Sequence, residues 1–373
     1  MVKTESFQGF GAIVRVAAAA ALIIAVPVRA QQVPQFEVDP LWPQLPLGNN
    51  WLTGGLGGMC LDSRDHVYIL NRQNVVADDL DGAILAPPVI ELDPEGNVVR
   101  GWGDPDLLGG RLHDCHVDSD QNVWIVAAAT GVVQKYSNDG SELLLLIGER
   151  GSYDSADGTR GGRPLNSDRA RFFLPGSIDI DAASGDIYVA DGELPGGNYR
   201  IAVLDRNGRF LRQWSLHRSE DEGDITPLPH CLRLSNDGLV YVCDRTANRI
   251  QVFDQDGTYR KEIFIEPRTR GAGSTWEIAF SRDAAQRFMY VADGQNRKIH
   301  VLDREALEVL YTFGDGGRQP GQFYGVHSIE TDSEGNIYTT ETWEGKRLQK
   351  FVYQGMGTVE KGSDLAELWP TQD

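Results

Sequence analysis

Residues 229–257 read PHCLRLSNDGLVYVCDRTANRIQVFDQDG, three short apolar strands separated and followed by turns. Turns at 236–238 and 255–257 each end in Asp-Gly, and Asp-Gly flanked by alternating apolar residues is typical of β-hairpins. The second strand carries an aromatic residue, Tyr241, at its second position. This stretch predicts antiparallel strands joined by tight turns.

The same unit recurs six times along the chain. In each copy an Asp or Ser opens the first turn, and an aromatic residue lies in the strand that follows. The turn residues are Asp62, Asp118, Asp181, Ser235, Ser281 and Asp332, and the aromatics are Tyr68, Trp124, Tyr188, Tyr241, Tyr290 and Tyr338. Repeats of 46 to 63 residues that contain only strands indicate propeller blades. We therefore predict an all-β, six-bladed β-propeller with four-stranded blades.

A propeller needs ring closure, because an open array leaves an unpaired edge. The last unit ends near Phe351 and lacks an outer strand, whereas residues 36–46 precede the first full unit. We expect this N-terminal segment to supply the missing strand. The propeller would then span residues 31–355, with a C-terminal tail at 356–373.

Residues 1–30 differ from the rest of the chain. Lys3 and Arg15 flank a polar start, an apolar run follows at 16–26, and Val28 and Ala30 place small residues at positions −3 and −1 before Gln31. This pattern is typical of a cleaved secretory signal peptide, and the apolar run is too short to span a bilayer. We expect a secreted or periplasmic protein without membrane insertion.

The composition and net charge of the chain limit the kinds of partner that we expect it to bind. The chain has 373 residues, 41% of them hydrophobic, and a formal net charge of −19. Enough apolar material is present for a large core, which excludes a disordered protein. The acidic balance gives no basic surface for phosphate backbones, so we expect no nucleic-acid partner. We expect a monomer.

The four cysteines, Cys60, Cys115, Cys231 and Cys243, have three possible pairings in an exported protein. Cys231 and Cys243 lie on either side of the turn at 236–238, where antiparallel pairing would place them opposite each other. We expect this pair to form a disulfide.

Alignment of the six units on their turn residues places histidine at one position in alternate units. The residues five positions before the turn are Gly57, His113, Gly176, His230, Trp276 and His327. Alternate blades lie about 120° apart around the axis, so the three imidazoles are expected to converge. Three imidazoles with an open fourth position are typical of a catalytic zinc site. The alternative is a set of channel-lining side chains that bind water.

The other four histidines lie outside this register. They are His66, His116, His217 and His300. His116 is three residues from His113, so strand alternation predicts that it points to the opposite face. We expect all four to be structural or solvated.

A second register contains two arginines where other units have small residues. It lies five residues after the start of each second strand and reads Arg72, Ala128, Gly192, Arg245, Gly294 and Thr342. At one end of the channel, Arg72 and Arg245 could hold a carboxylate through bidentate bonds. Surface salt bridges are the alternative.

Residues 229–232, 242–253 and 325–329 resemble NHL-repeat six-bladed propellers, and more narrowly the catalytic domain of peptidyl-α-hydroxyglycine α-amidating lyase. The resemblance covers roughly residues 35–355. It implies a zinc ion on His113, His230 and His327, and a substrate carboxylate held by Arg72 and Arg245. The implied reaction breaks the C–N bond of a carbinolamide in a small molecule or peptide, giving an amide and glyoxylate.

Three positions depart from the family pattern. Glu193 follows Asp191-Gly192 where the family has its catalytic tyrosine, so either Tyr199 or Glu193 would have to act as the base. Glu193 would do so if desolvation raised its pKa. Ser328 replaces an aspartate that helps to hold a structural calcium, which makes calcium doubtful, and Gly325 replaces a methionine.

Two other functions stay open. One is a non-catalytic NHL scaffold that binds a protein or glycan on the propeller face. The other is a propeller enzyme of the lactonase or streptogramin-lyase type, for which more carboxylate ligands to the metal are expected. The register of His113, His230 and His327 favours the zinc enzyme.

Overall fold

The computed structural model describes residues 1, 3, 32–218 and 226–365. These residues form six antiparallel sheets arranged around a central axis, and the predicted all-β, six-bladed propeller is confirmed. Helix is confined in the described ranges to one short α-helix, Pro105–Leu108, and to 3₁₀ turns at Gly48–Asn50 and Ala77–Leu80. None of the described helices is long and apolar enough to cross a membrane.

Within each blade the strands run from the axis outward. Blade 1 comprises Leu56–Leu61, Val67–Asn71, Val89–Leu92 and Val98–Trp102. Blade 2 comprises Leu112–Val117, Val123–Ala127, Val132–Tyr136 and Leu143–Ile147. Blade 3 comprises Pro175–Ile180, Ile187–Asp191, Arg200–Leu204 and Phe210–Ser215. Blade 4 comprises Pro229–Leu234, Leu239–Asp244, Arg249–Asp254 and Tyr259–Phe264. Blade 5 comprises Glu277–Phe280, Phe288–Asp293, Lys298–Asp303 and Glu308–Phe313. Blade 6 begins with Val326–Thr331, Ile337–Glu341 and Leu348–Thr358. The inner strands contact one another around the ring, and blade 6 meets blade 1.

The ring closes as the sequence predicts. The N-terminal strand Gln32–Asp39 pairs antiparallel with Leu348–Thr358 and becomes the outer strand of blade 6. It starts four residues earlier than the segment expected from the sequence. Because Val33, Phe36 and Val38 are buried against blades 5 and 6, the closing strand also contributes to the core.

The repeated aromatic residues are core residues, and three of them also bind the turn of their own blade. All six are buried. In blades 1, 2 and 6 the aromatic side chain donates a hydrogen bond to the turn aspartate; for example, Trp124 Nε1 lies 2.8 Å from Asp118 Oδ2 and Tyr338 Oη lies 2.9 Å from Asp332 Oδ2. The bond satisfies a polar atom that burial would otherwise leave unpaired.

Short strands outside the four-stranded pattern add to the described fold. Ser363–Leu365 pairs in parallel with Glu308–Phe313, which places part of the expected tail on the outer edge of blade 5. Short strands Trp51–Leu52 and Ile84–Leu85 also pair in parallel. The signal peptide expected at residues 1–30 lies outside the described residues, except for residues 1 and 3.

The cysteines form two disulfides, Cys60–Cys115 and Cys231–Cys243. The second is the expected pair, and its two residues are direct partners in the antiparallel register. The first joins the inner strands of blades 1 and 2. Each disulfide therefore fixes an inner strand beside the central channel.

We predict that the closing strand is essential to stability. Phe36 lies within 5.6 to 6.0 Å of the rings of Tyr290, Phe313 and Tyr353, so Phe36→Ala should lower the free energy of unfolding by about 3–5 kcal/mol. Chemical denaturation followed by tryptophan fluorescence measures it. The control is Leu41→Ala in the same segment, where Leu41 is 77% exposed and a change within about 0.5 kcal/mol is expected. Equal losses in both variants would contradict this role.

Candidate metal centre

A β-bulge positions each of the three histidines. In blade 2, Leu112 pairs with Ala127 and Asp114 with Val126, which leaves His113 as an extra residue between them. His230 and His327 occupy the same position in blades 4 and 6. A bulge interrupts side-chain alternation and bends the strand, so it can redirect a side chain toward the axis.

The structure brings His113, His230 and His327 together at the axis. Their ring centroids are 4.7 to 5.3 Å apart, and one nitrogen from each lies within 4.8 Å of the others. The three side chains are only 1–3% exposed. They form the tri-histidine group.

Two of the rings are held by the backbone of the next blade. His113 Nδ1 lies 2.5 Å from the carbonyl oxygen of Gly176, and His230 Nδ1 lies 2.6 Å from that of Trp276. Gly176 and Trp276 occupy the same register position as the histidines, one blade further on. A ring whose Nδ1 donates to a carbonyl presents an unprotonated Nε2, the usual arrangement of a metal-ligating histidine.

One nitrogen of each ring forms no hydrogen bond of good geometry, although that of His113 lies 3.3 Å from a carboxylate oxygen of Glu193. These are Nε2 of His113, Nε2 of His230 and Nδ1 of His327, all buried. Burial lowers the pKa of all three histidines, most strongly those of His230 and His327, which keeps the rings neutral. Partnerless polar atoms are costly inside a protein, and a divalent metal that accepts three imidazole ligands fits this group.

Arg72 and Arg245 both lie beside the tri-histidine group. Arg72 Nη2 is 3.1 Å from His327 Nε2, and its Nη1 donates to Thr342 Oγ1 at 2.8 Å. Arg245 lies with its guanidinium 5.3 Å above the Trp276 ring, and its Nε has no partner. Burial lowers the pKa of each arginine to about 10, so both stay charged at neutral pH.

Glu193 enters the site from the loop after the second strand of blade 3. Its Oε1 lies 3.3 Å from His113 Nε2 and 3.8 Å from Arg245 Nη1. Burial acts to raise the pKa of Glu193, as expected, but the contact with His113 and the ion pair with Arg111 outweigh it and lower the pKa. The prediction that desolvation raises the pKa of Glu193 is therefore wrong, and its carboxylate is ionised.

Sequence reasoning missed Arg111. Its guanidinium binds both oxygens of Glu193, with Nη2 at 2.6 Å and Nε at 3.3 Å, and its side chain is 36% exposed. Arg111 has a φ of 56°, in the left-handed region that bulky residues rarely adopt. The clue in the sequence is its position two residues before His113, after Gly109-Gly110.

Tyr199 is in the same blade but bonds within its own loop. Its phenol oxygen accepts from the Gly196 N–H at 2.5 Å, and its own N–H donates to Asn166 Oδ1. These contacts do not include the tri-histidine group.

The four other histidines form separate contacts. His66 pairs with Glu91, His300 with Asp293, and His217 stacks on Tyr259. The orientation expected for His116 was wrong, because the bulge shifts the alternation. His116 lines the same channel further along, where its Nδ1 lies 3.0 Å from Asp179.

A second buried layer lies beyond the histidines. Arg233 contacts Asp114 at 3.1 Å, Glu277 at 3.5 Å and Glu330 at 3.2 Å. Ser328, which made a structural calcium doubtful, accepts a hydrogen bond from the N–H of Met59 at 3.4 Å. The guanidinium of Arg233 thus supplies the positive charge among the carboxylates of this layer.

The fold and the site together define a six-bladed β-propeller with a buried tri-histidine group. The NHL repeat family model matches residues 226–253. The chain is 29% identical over 245 residues to peptidyl-glycine alpha-amidating monooxygenase B of Xenopus laevis, covering 61% of this chain and 26% of that protein. It is 25% identical over 333 residues to human NHL repeat-containing protein 3, covering 85% and 84%. The chain spans about a quarter of the length of the Xenopus relative.

Solved structures share the fold. A streptogramin B lyase structure superposes with a TM-score of 0.53 at 14% identity, covering 86% of this chain and 98% of that one. A protein of unknown function from Bacteroides thetaiotaomicron gives 0.54 at 16% identity, covering 81% and 70%. At these identities the similarity concerns the fold alone.

We predict that the tri-histidine group binds zinc. After zinc loading and desalting, elemental analysis should find about one zinc per chain, because the three imidazoles form one site that supplies three of the four ligands of a tetrahedral ion. His230→Ala should retain less than about a fifth of that zinc, since two ligands bind far more weakly. The exposed His217→Ala is the matched control and should keep its zinc.

His230→Gln tests the same prediction with a smaller change in volume, and circular dichroism checks that each variant is folded. Equal zinc in the parent and in a folded His230 variant would show that the metal binds elsewhere.

Proposed function

We propose that this chain is a zinc-dependent lyase that cleaves the C–N bond of a carbinolamide bearing a carboxylate. The observation that carries the proposal is the group of three buried histidines with partnerless nitrogens, next to three arginines and one ionised glutamate. Similarity to a peptidyl-glycine alpha-amidating monooxygenase supports a reaction that leaves an amide. The substrate class, an N-acylated α-hydroxyglycine, is part of the proposal.

The reaction needs no second substrate. The hydroxyl O–H loses its proton, the C–O bond becomes a carbonyl, the C–N bond breaks, and the amide nitrogen takes up a proton. The products are an amide and glyoxylate. A zinc ion held by His113, His230 and His327 would lower the pKa of the hydroxyl and favour this collapse.

The surrounding residues have separate tasks. Arg72 contacts His327 and Arg245 lies over Trp276, so both border the histidines and can hold the carboxylate. Glu193 is the best-placed proton acceptor, because its carboxylate reaches within 3.3 Å of a histidine nitrogen and is ionised. The lowered pKa makes Glu193 a weak base, so proton transfer to it requires a hydroxyl whose own pKa is strongly lowered. Arg111 fixes the orientation of that carboxylate through two bonds.

We also propose that the protein is exported. The N-terminal sequence of residues 1–30 supports this, as do the two disulfides, since disulfides persist in oxidising compartments.

The test is release of glyoxylate from N-benzoyl-α-hydroxyglycine by the zinc-loaded protein. We expect turnover in the parent and at least about a hundredfold lower kcat in Glu193→Gln with the zinc content retained, because the proton acceptor is lost. Glu149→Gln is the matched control, since Glu149 pairs with Arg171 at the surface.

Tyr199→Phe separates the two candidate bases. A large loss in this variant with little loss in Glu193→Gln would assign the proton transfer to Tyr199. A fully zinc-loaded parent without any glyoxylate release would reject the lyase reaction, and a parent that neither holds zinc nor responds to chelation would favour a binding scaffold.

A further inference from the structure

Two tryptophans extend from the tri-histidine group to the protein surface. Trp276 is buried, with its ring 5.6 Å from the ring of His327 and 6.0 Å from that of His230. Trp343 stands perpendicular to Trp276, with centroids 4.9 Å apart, and is 41% exposed. Together they form one continuous surface, which we call the aromatic wall.

Glycines create the space for both rings. A Cβ at Gly294 would lie 2.6 Å from Trp276 Cδ2, and a Cβ at Gly325 would lie 2.8 Å from Trp343 Cε3. Real Cβ atoms do not approach this closely, so any larger residue would displace a ring.

The backbone holds Trp343 in an uncommon conformation. Its φ is 51°, a value that a bulky residue adopts only when its surroundings impose it. The preceding residue, Thr342, accepts a hydrogen bond from Arg72 through Oγ1 and donates its N–H to the carbonyl of Gly325 at 2.9 Å. Arg72 thus links the orientation of Trp343 to the carboxylate-binding side of the site.

Charge and aromatic surface are adjacent on this side of the site. The guanidinium of Arg245 lies 5.3 Å above the Trp276 ring, and its buried Nε has no partner. A ligand carboxylate on Arg72 and Arg245 would place the rest of a short ligand beside Trp276 and Trp343. The exposed indole of Trp343 can stack on a flat ring of such a ligand, whereas a methyl group would gain little from this contact.

We infer that the substrate carries an aromatic ring on the acyl side of its scissile bond, and that Trp343 is the residue that selects it. This inference rests on the proposed function for the position of the carboxylate and the amide. It goes further by assigning the substrate class: N-aroyl or aryl-substituted acyl derivatives of α-hydroxyglycine rather than short aliphatic ones.

The test measures binding without turnover. N-benzoylglycine and N-acetylglycine share the amide and the carboxylate but lack the hydroxyl, so this reaction cannot consume them. Titration calorimetry on the zinc-loaded protein should show N-benzoylglycine binding about tenfold more tightly than N-acetylglycine, the ratio expected from ring burial and an aromatic pair.

Trp343→Ala should reduce this ratio to about twofold or less, whereas Trp343→Phe should keep most of it, because a phenyl ring still stacks. The matched control is Phe264→Ala, which removes an aromatic side chain of similar exposure from the outer strand of blade 4 and should leave the ratio unchanged. Zinc content and circular dichroism of each variant confirm an intact site and fold.

Three outcomes would overturn the inference: equal affinity for the two ligands, an unchanged ratio in Trp343→Ala, or no binding of either ligand to zinc-loaded protein. Failure of the proposed function gives a different result. In that case the benzoyl preference and its dependence on Trp343 persist, but the protein releases no glyoxylate from the hydroxylated benzoyl compound.

Discussion

A repeated β-bulge at the start of the inner strands is the constraint on which the site depends. In blades 2, 3, 4 and 6 one residue is inserted between paired positions, and in three of these blades it is a histidine. The bulge also brings the next residue to the axis, as Asp114 and Ser328 show through their contacts with other blades. A regular strand would turn one of each pair away.

The two resulting layers differ in charge, because burial raises the pKa of Glu277 and Glu330 in the second layer and favours their neutral forms. Around the histidines, Arg111 and Arg245 contact one carboxylate, Glu193, and Arg72 contacts His327. The layer beyond has one arginine, Arg233, among Asp114, Glu277 and Glu330. Buried charges persist only when they are paired, so each layer needs its own counter-ions. The positive charge of the arginines around the histidines favours binding of an anionic ligand, even though the net charge of the chain is −19.

The interior of the site follows from contacts between blades. Gly176 and Trp276 each orient the histidine of the preceding blade through a carbonyl, while Arg72 reaches from blade 1 to Thr342 of blade 6. Closure of the ring by Gln32–Asp39 keeps blades 1 and 6 in contact. The outermost strand of the propeller therefore supports the geometry at its centre.

The sequence by itself determined the repeat, the blade count, the closing strand and the register of His113, His230 and His327. Turns and alternating strands are local signals. In a repeated unit, the same position along the strand lies at the same distance from the axis in every blade. Only the tertiary structure decided the partners of Glu193, the role of Arg111 and the direction of His116. Those depend on bulges and on loops that meet across blades, and no spacing along the chain encodes such contacts, because they form only when the ring is closed.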